Sequence, residues 1–145
     1  YPEPTGVVSA VAPNDSSLIG LISIVAPIIA GGNTVVVLAS EENPLCSITF
    51  AEVLHTSDVP GGVVNILTGH RSELLEQFSS HMDVNAIVYC GTEPEEIKLV
   101  QENAALNVKR PIVYSDENWL DKNTQDPYRI LNTLETKTTW HPVGV

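Results

Sequence analysis

Short apolar runs alternate with longer segments of helical periodicity along the first 115 residues of the chain. The runs are rich in β-branched residues and lack a polar alternation, which is typical of strands covered on both faces. Five strands are predicted, at Gly6–Ala12, Thr34–Ala39, Val63–Leu67, Asn85–Cys90 and Arg110–Tyr114.

Helices are predicted between consecutive strands. The first begins at Ser16 or Ser17, either of which could cap it, and ends at Gly31-Gly32. The other three cover Pro44–His55, Arg71–Ser80 and Glu93–Ala105. Successive strand–helix units favour a parallel sheet with right-handed crossovers. The sequence therefore predicts an α/β, Rossmann-like fold with an open, mainly parallel five-stranded sheet and helices on both faces.

The pattern changes after Ser115, which suggests three segments. Residues 1–115 form the Rossmann-like unit, 116–132 a polar connecting loop or short helix, and 133–145 an alternating, extended arm. Such an arm often pairs with an exposed sheet edge, in its own chain or in a neighbour's. Three aromatic residues of this tail are expected to be exposed, where they either pack the tail or anchor a protein interface: Trp119, Tyr128 and Trp140.

Composition and charge narrow the possible partners. The 145 residues suffice for one domain, and a hydrophobic fraction of 43% indicates a globular one. Seven basic residues against eighteen acidic ones give a net charge of -11, which disfavours nucleic acids and anionic membranes. The longest apolar stretch, Leu18–Ala30, is shorter than the roughly twenty residues of a bilayer span.

The cysteines and histidines suggest neither a disulfide framework nor a metal site. Cys46 and Cys90 have no zinc-ligand spacing, so a reducing, cytoplasmic compartment is expected. Cys90 ends a strand close to a helix N-terminus, which can lower a thiol pKa, but a small buried thiol is the preferred interpretation. The four histidines share no ligand spacing: His55, His70, His81 and His141.

Four segments, in matching order, resemble the cofactor-binding half of the aldehyde dehydrogenase superfamily. PTGVVSAVAP at Pro4–Pro13 resembles the strand before the family's Pro-Trp-Asn motif, and APIIAGGNTVVVLASEENPL at Ala26–Leu45 resembles AL-A-GN-VV-KPSE-TPL. VPGGVVNILTG at Val59–Gly69 resembles PPG-VN-V-G, and Tyr89–Thr92 stands where the family has Phe-Thr-Gly-Ser. The chain thus resembles this superfamily from about Pro4 to Asp116.

The closing segment TKTTWHPVG, joined directly to the Rossmann-like half, is similar to the C-terminal truncated repeat of the family-sixteen aldehyde dehydrogenases. In that group a full dehydrogenase unit precedes a shortened one. The resemblance implies that this chain, which begins at Tyr1, is part of a longer polypeptide. Its partners would then be the upstream dehydrogenase domain, a partner subunit, or both.

The resemblance also shows where the family's catalytic groups would fall. The Asn that stabilises the oxyanion falls on Asp15, whose carboxylate would repel that oxyanion. The general-base Glu falls on Tyr114, a poor base at neutral pH. The nucleophilic Cys belongs to a downstream domain, and none of the thirty-one residues after Tyr114 is Cys. No catalytic residue is therefore assigned, and catalysis by this chain alone is not expected.

Only a vestigial NAD site is implied, around Glu41, Gly62, Gly91 and Thr92. The family's ribose-binding Lys and Glu fall on Leu38 and Glu41, although Glu41 is also interpretable as a solvated loop residue. The phosphate-proximal turn Gly-Ser-Thr-x-x-Gly becomes Gly91-Thr92-Glu93-Pro94-Glu95-Glu96. Its three glutamates satisfy the positive helix end that a pyrophosphate would need, so no cofactor is assigned.

Three functional hypotheses follow. The first is a non-catalytic domain with a structural, oligomerisation or protein-interaction role. The second is a regulatory domain that binds NAD weakly. The third is a part of an active NAD-dependent aldehyde dehydrogenase whose catalytic residues lie outside this chain.

Overall fold

The structure, a computed structural model, describes residues 1–142 and 144 of the chain. In chain order its elements are β1 Pro2–Pro4, β2 Val7–Val11, α1 Ile19–Ala30, β3 Thr34–Leu38, α2 Leu45–His55, β4 Val64–Leu67, α3 Arg71–Ser80, β5 Ala86–Cys90, α4 Pro94–Leu106, β6 Arg110–Tyr114 and β7 Leu134–Thr136. Two short 3-10 helices cover Lys122–Thr124 and Pro127–Thr133.

Strands β2 to β6 form one parallel sheet in the order β4-β3-β2-β5-β6. Val8 of the central strand pairs with Val35 of β3 on one side and with Ala86 of β5 on the other. Strands β3 and β4 therefore extend the sheet on one side of β2, and β5 and β6 extend it on the other. This order confirms the predicted Rossmann-like fold and creates a switch point between β2 and β5.

Helices cover both faces of this sheet, as the uniformly apolar strands predict. On one face, α1 and α2 pack over Val8, Ala10 and Val35, and on the other α3 and α4 pack over Val11 and Ile87. These five side chains are completely buried. Burial of a Val or Ile side chain contributes about 1.5–3 kcal/mol, so the strand cores account for much of the fold's stability.

Helix α1 begins later than predicted and without a serine cap. Its first residue is Ile19, and the side chain of Leu18 at the cap position makes no capping hydrogen bond. Ser16 instead contributes its backbone oxygen, which accepts from the N–H of Gly20. Pro13 packs against Gly20 so closely that an added Cβ would lie 2.2 Å from its Cγ atom. The turn after β2 is thereby pressed against the start of α1.

The C-terminal arm pairs with the chain's own N-terminal segment. β7 runs antiparallel to β1, with Glu135 opposite Glu3, and the two strands form a separate ribbon that does not join the five-stranded sheet. Leu134–Thr136 is thus the extended strand that was expected, but its partner is β1 and not an edge of the five-stranded sheet. Val143 and Val145 of the predicted arm lie outside the described residues.

The segment between β6 and β7 covers the sheet. Trp119 was expected to be exposed, but it is 4% exposed and meets Tyr114 edge-on at 6.0 Å between ring centroids. The Arg129 guanidinium lies 4.4 Å from the Tyr114 ring centroid and 5.1 Å from that of Trp119. Tyr128 and Trp140 are exposed, as predicted.

Among the described residues, no helix has both the length and the apolar character that crossing a bilayer requires.

Candidate functional site

A cleft of about 340 Å³ opens at the carboxyl ends of β2 and β5. Ligands of open α/β sheets bind at such a point because the loops diverge there. The cleft is lined by the loops that follow β2, β5 and β6 and by the first residue of α3, as follows: Pro13, Asn14, Asp15, Arg71, Cys90, Gly91, Thr92, Glu93, Tyr114, Asp116, Glu117 and Trp119. Sequence-predicted residues from three separate segments therefore meet in one place.

Asp15 and Tyr114 both line this cleft, as the resemblance predicts. Asp15 is exposed in the loop after β2, where its carboxylate faces solvent. Tyr114 is half-buried, and burial raises the pKa of its hydroxyl above the ordinary range. That hydroxyl accepts a hydrogen bond of 2.8 Å from the Asn132 side chain. Tyr114 is therefore held as a neutral phenol that anchors the tail, which is the opposite of what a general base requires.

Cys90 is a buried, unreactive thiol. It is 1% exposed, and burial is the largest of the influences that raise its pKa to about 12. The burial agrees with the preferred interpretation of a small buried thiol, because desolvation of the thiolate outweighs the influence of Arg71 and Arg129, which lower the pKa. Cys46, the other cysteine, is exposed on α2 and does not line the cleft.

Gly91 and Thr92 form the turn between β5 and α4. The Gly91 N–H donates to the backbone oxygen of Tyr114 at 3.2 Å, and Thr92 is exposed on the cleft wall. A Cβ atom at Gly91 would lie 2.6 Å from the Tyr89 hydroxyl. The space that the missing side chain of Gly91 leaves is therefore occupied by the Tyr89 hydroxyl of the same chain.

Glu41 anchors the start of α3. Its carboxylate lies 2.8 Å from Nδ1 of His70, the residue that precedes the helix, and the backbone of Arg71, the first helical residue, also lowers the pKa of Glu41. The His70 hydrogen bond is the largest influence that lowers the pKa of Glu41. An acidic group at a helix N-terminus satisfies free N–H groups and the helix dipole. The carboxylate predicted to bind ribose thus has a partner within the protein, His70.

Gly62 is not part of the cleft. It precedes β4 at a positive φ of 87°, and its backbone oxygen accepts from the Asn65 side chain. Val64 pairs with Val35 near the start of β3, so Gly62 lies at the amino edge of the sheet, whereas Glu41 follows the carboxyl end of β3. The structure therefore separates Gly62 from the other three predicted cofactor residues by the length of a strand.

Arg71 is the residue at this site that sequence patterns missed. It is 8% exposed, and one guanidinium nitrogen donates to the backbone oxygens of Ala12 at 2.5 Å and Cys90 at 3.2 Å. These carbonyls belong to the carboxyl ends of the two strands at the switch point. One signal was available in the sequence, since a basic residue at the first position of a predicted helix opposes the helix dipole and needs a specific reason.

No metal centre is assembled by residues 1–142 and 144. Within that range, no three His, Cys, Asp or Glu side chains approach closely enough to hold an ion. The cleft's acidic residues are spread along its rim, and one of them, Glu117, accepts from Arg129 at 3.0 Å.

Comparison with known proteins identifies the relatives of this chain. The model of the aldehyde dehydrogenase family matches residues 1–114. The (Z)-2-((N-methylformamido)methylene)-5-hydroxybutyrolactone dehydrogenase of Acinetobacter baylyi is 39% identical over 74% of this chain and 22% of its own length. Human aldehyde dehydrogenase 1A1 is 37% identical over the same shares.

A solved relative agrees with the fold. A mutant of aldehyde dehydrogenase C from Pseudomonas syringae, in complex with NAD+ and octanal, superposes with a TM-score of 0.75 at 34% identity. The match covers 79% of this chain and 23% of that protein. The chain therefore spans less than a quarter of the length of these relatives.

Proposed function

Because the chain belongs to the aldehyde dehydrogenase family, we propose that it is a non-catalytic domain with a structural or protein-interaction role in a larger assembly. The observation that carries this proposal is the composition of the cleft. Asp15, the phenol of Tyr114 and the buried thiol of Cys90 stand together at the switch point. None of them supplies the oxyanion donor, base or thiolate that the family's acyl chemistry uses.

An NADH-production assay on the 145-residue chain tests the catalytic half of the proposal. With NAD and a panel of short aliphatic and aromatic aldehydes, the expected rate of NADH formation equals that of the buffer. The control variant is Cys90→Ala, since Cys90 is the thiol nearest to the cleft. NADH formation that Cys90→Ala abolishes would overturn the proposal.

The exposed end of the arm supports the interaction role. Trp140 is 84% exposed, and a large aromatic side chain held in solvent is a frequent anchor of protein interfaces. In the family-sixteen arrangement that the closing segment resembles, the partner is the preceding dehydrogenase unit of the same polypeptide or a second subunit. We include that arrangement in the proposal.

Deletion of residues 139–145 tests the docking role without disturbing β7. The deletion is expected to leave the urea midpoint unchanged, because the ribbon ends at Thr136. It is also expected to weaken binding to a full dehydrogenase unit or to a second copy, measured by light scattering. Trp140→Ala should reproduce the loss, and Tyr128→Ala, a second exposed aromatic, serves as the matched control. Equal association by all variants would contradict docking through the arm.

A weak NAD-binding regulatory role is supported by one observation, since Gly91 and Thr92 line the cleft at the N-terminus of α4. The other residues do not fit a dinucleotide. Glu41 has a partner within the protein, and Gly62 lies at the opposite edge of the sheet. We therefore prefer the non-catalytic structural role. A contribution to an active enzyme requires catalytic residues from outside these 145 positions and is tested by the same NADH assay on a longer polypeptide.

A further inference from the structure

Three side chains meet beneath the Gly91 turn. The Tyr89 hydroxyl donates to a carboxylate oxygen of Glu96 at 2.5 Å, and a guanidinium nitrogen of Arg71 lies 3.9 Å from the same oxygen. Tyr89 is completely buried and Arg71 nearly so, whereas Glu96 is half-buried in the first turn of α4. These three residues, which we call the crevice cluster, come from β5, α3 and α4.

The crevice cluster lies beside the cleft: Arg71 lines it, and the hydrogen-bonded pair Tyr89 and Glu96 lies behind its Gly91 wall. Arg71 bridges the backbone oxygens of Ala12 and Cys90, which end the two strands on either side of the switch point. In this fold class a dinucleotide's pyrophosphate lies against the helix N-terminus that follows such a strand. Here that N-terminus belongs to α4, and its first turn carries Glu96.

Charge within the cluster is already balanced. A buried guanidinium and a helix N-terminus both favour an anion nearby, and the Glu96 carboxylate supplies one. Burial and the neighbouring Glu96 raise the pKa of Tyr89, so its hydroxyl remains a donor to that carboxylate. An incoming phosphate would meet the negative charge of Glu96 and of the exposed Glu93 and Glu95.

The cluster corresponds to two changes from the family's pattern. Tyr89 stands where the family has Phe, and its added hydroxyl makes the bond to Glu96. Glu96 itself stands at the last Gly of the family's Gly-Ser-Thr-x-x-Gly turn. The Tyr89 hydroxyl and the Glu96 side chain therefore occupy space beside Gly91 that a Phe and a Gly at these positions would leave empty. A Cβ atom added at Gly91 would lie only 2.6 Å from the Tyr89 hydroxyl.

We infer that Tyr89, Glu96 and Arg71 form an internal substitute for a dinucleotide phosphate, which closes the crevice to NAD and fixes α3 and α4 against the sheet without a cofactor. This inference rests on the proposed non-catalytic function and deepens it. The domain keeps the architecture of a cofactor-binding fold because three of its own side chains satisfy the groups that a cofactor would otherwise satisfy.

Calorimetric titration of NAD into the 145-residue chain and a set of variants tests the inference. The wild type is expected to bind with a Kd weaker than about 1 mM. Tyr89→Phe combined with Glu96→Gly restores the family's residue at both positions and is expected to tighten binding at least about tenfold. Tyr89→Phe combined with Glu95→Gly is the matched control, because Glu95 is exposed in the same helical turn and lies outside the cluster. The control is expected to bind no better than the wild type.

Each other outcome counts against the inference. A wild-type Kd below about 1 mM would show that the crevice is open. Equal gains in the two double variants would show that Glu96 has no particular part in the exclusion, and no gain in either would assign the exclusion to something other than the cluster. If circular dichroism shows that the first double variant does not fold, Glu96→Gln, which removes the charge and keeps the side-chain volume, is judged by the same criteria.

The inference and the proposed function fail in different ways. NAD binding by the wild type without NADH production would refute the internal substitute and leave the non-catalytic role standing. NADH production that depends on Cys90 would refute the non-catalytic role.

Discussion

Asn33 shows how much one side chain can contribute to this fold. Its carboxamide nitrogen donates to the backbone oxygens of Ile28 and Thr133, and its oxygen accepts from the Gly6 N–H at 2.8 Å. The residue is 2% exposed. It therefore links the end of α1, the segment before β2 and the residue that precedes β7, and adds to the backbone hydrogen bond between Thr5 and Thr133.

Replacement of Asn33 by Ala should cost about 1–3 kcal/mol in the free energy of unfolding, because it removes the hydrogen bonds of a buried carboxamide and leaves the Gly6 N–H without its partner, whereas the Ile28 and Thr133 oxygens each keep a backbone donor. Urea denaturation followed by circular dichroism gives this value. Asn65→Ala is the control, since Asn65 also donates to two backbone oxygens but is exposed, and it should cost less than about 1 kcal/mol. Equal losses in the two variants would contradict the role assigned to Asn33.

Residue identity alone could not reveal this network. Asn33 is visible in the sequence only as part of the Gly-Gly-Asn that follows a helix. Its partner Thr133 is one hundred positions away, and nothing local relates the two. Arg71 and Trp119 escaped prediction for the same reason, because their burial depends on contacts with distant segments that sequence periodicity does not encode.

At the scale of the element, the regular structure followed closely from the sequence. Helix α3 and strand β6 have the predicted bounds, β2 is one residue shorter at both ends, and the other strands of the sheet are one residue shorter at one end. Uniform apolar runs specify buried strands well, since each residue of the run must be covered on one face or the other. Ribbon strand β1 was missed because two of its three residues are proline and it pairs only with β7.

Helix α3 provides a test of how the elements are joined at the cleft. Glu41 follows β3 and binds His70, the residue that precedes α3, and its pKa is lowered chiefly by this hydrogen bond. A carboxyl group whose pKa is lower in the folded state stabilises the fold at pH values above its unfolded pKa. That stabilisation disappears as the pH falls through the folded pKa.

Glu41→Gln should therefore lower the free energy of unfolding by about 0.5 kcal/mol at pH 7, a value kept small because the pair is partly open to solvent. The difference from wild type should shrink toward zero as the pH falls below about 4. Urea midpoints at both pH values measure it. Glu42→Gln is the control, because Glu42 is an exposed neighbour with the same charge. A deficit that persists unchanged in acid would mean that Glu41 does not act through its charge.

At the scale of the whole molecule, the tail is part of the folded unit. Residues 116–132 were expected to form a connecting loop, yet Trp119 is buried against Tyr114 and the 3-10 helix Pro127–Thr133 follows α1 closely. The Ser23 hydroxyl donates to Oε1 of Gln125 at 3.1 Å, and Nε2 of Gln125 donates to the Ser23 hydroxyl at 2.9 Å. These contacts fix the tail on α1. The tail covers the part of the sheet that α1 and α2 leave open, at strand β6.

A single cooperative transition should follow from this arrangement, and the two tryptophans can report it. Trp140→Phe leaves Trp119 as the reporter, and its fluorescence should change at the same urea concentration as the circular dichroism of the helices. Trp119→Phe leaves the exposed Trp140, whose emission should change little on unfolding. If Trp119 instead became exposed before the helices melted, the tail would be a separate, weaker unit, as the sequence-based division at residue 115 implies. Coincident transitions would mean that the tail folds with the sheet, so that a partner of the arm would bind the segment beyond the β1–β7 ribbon.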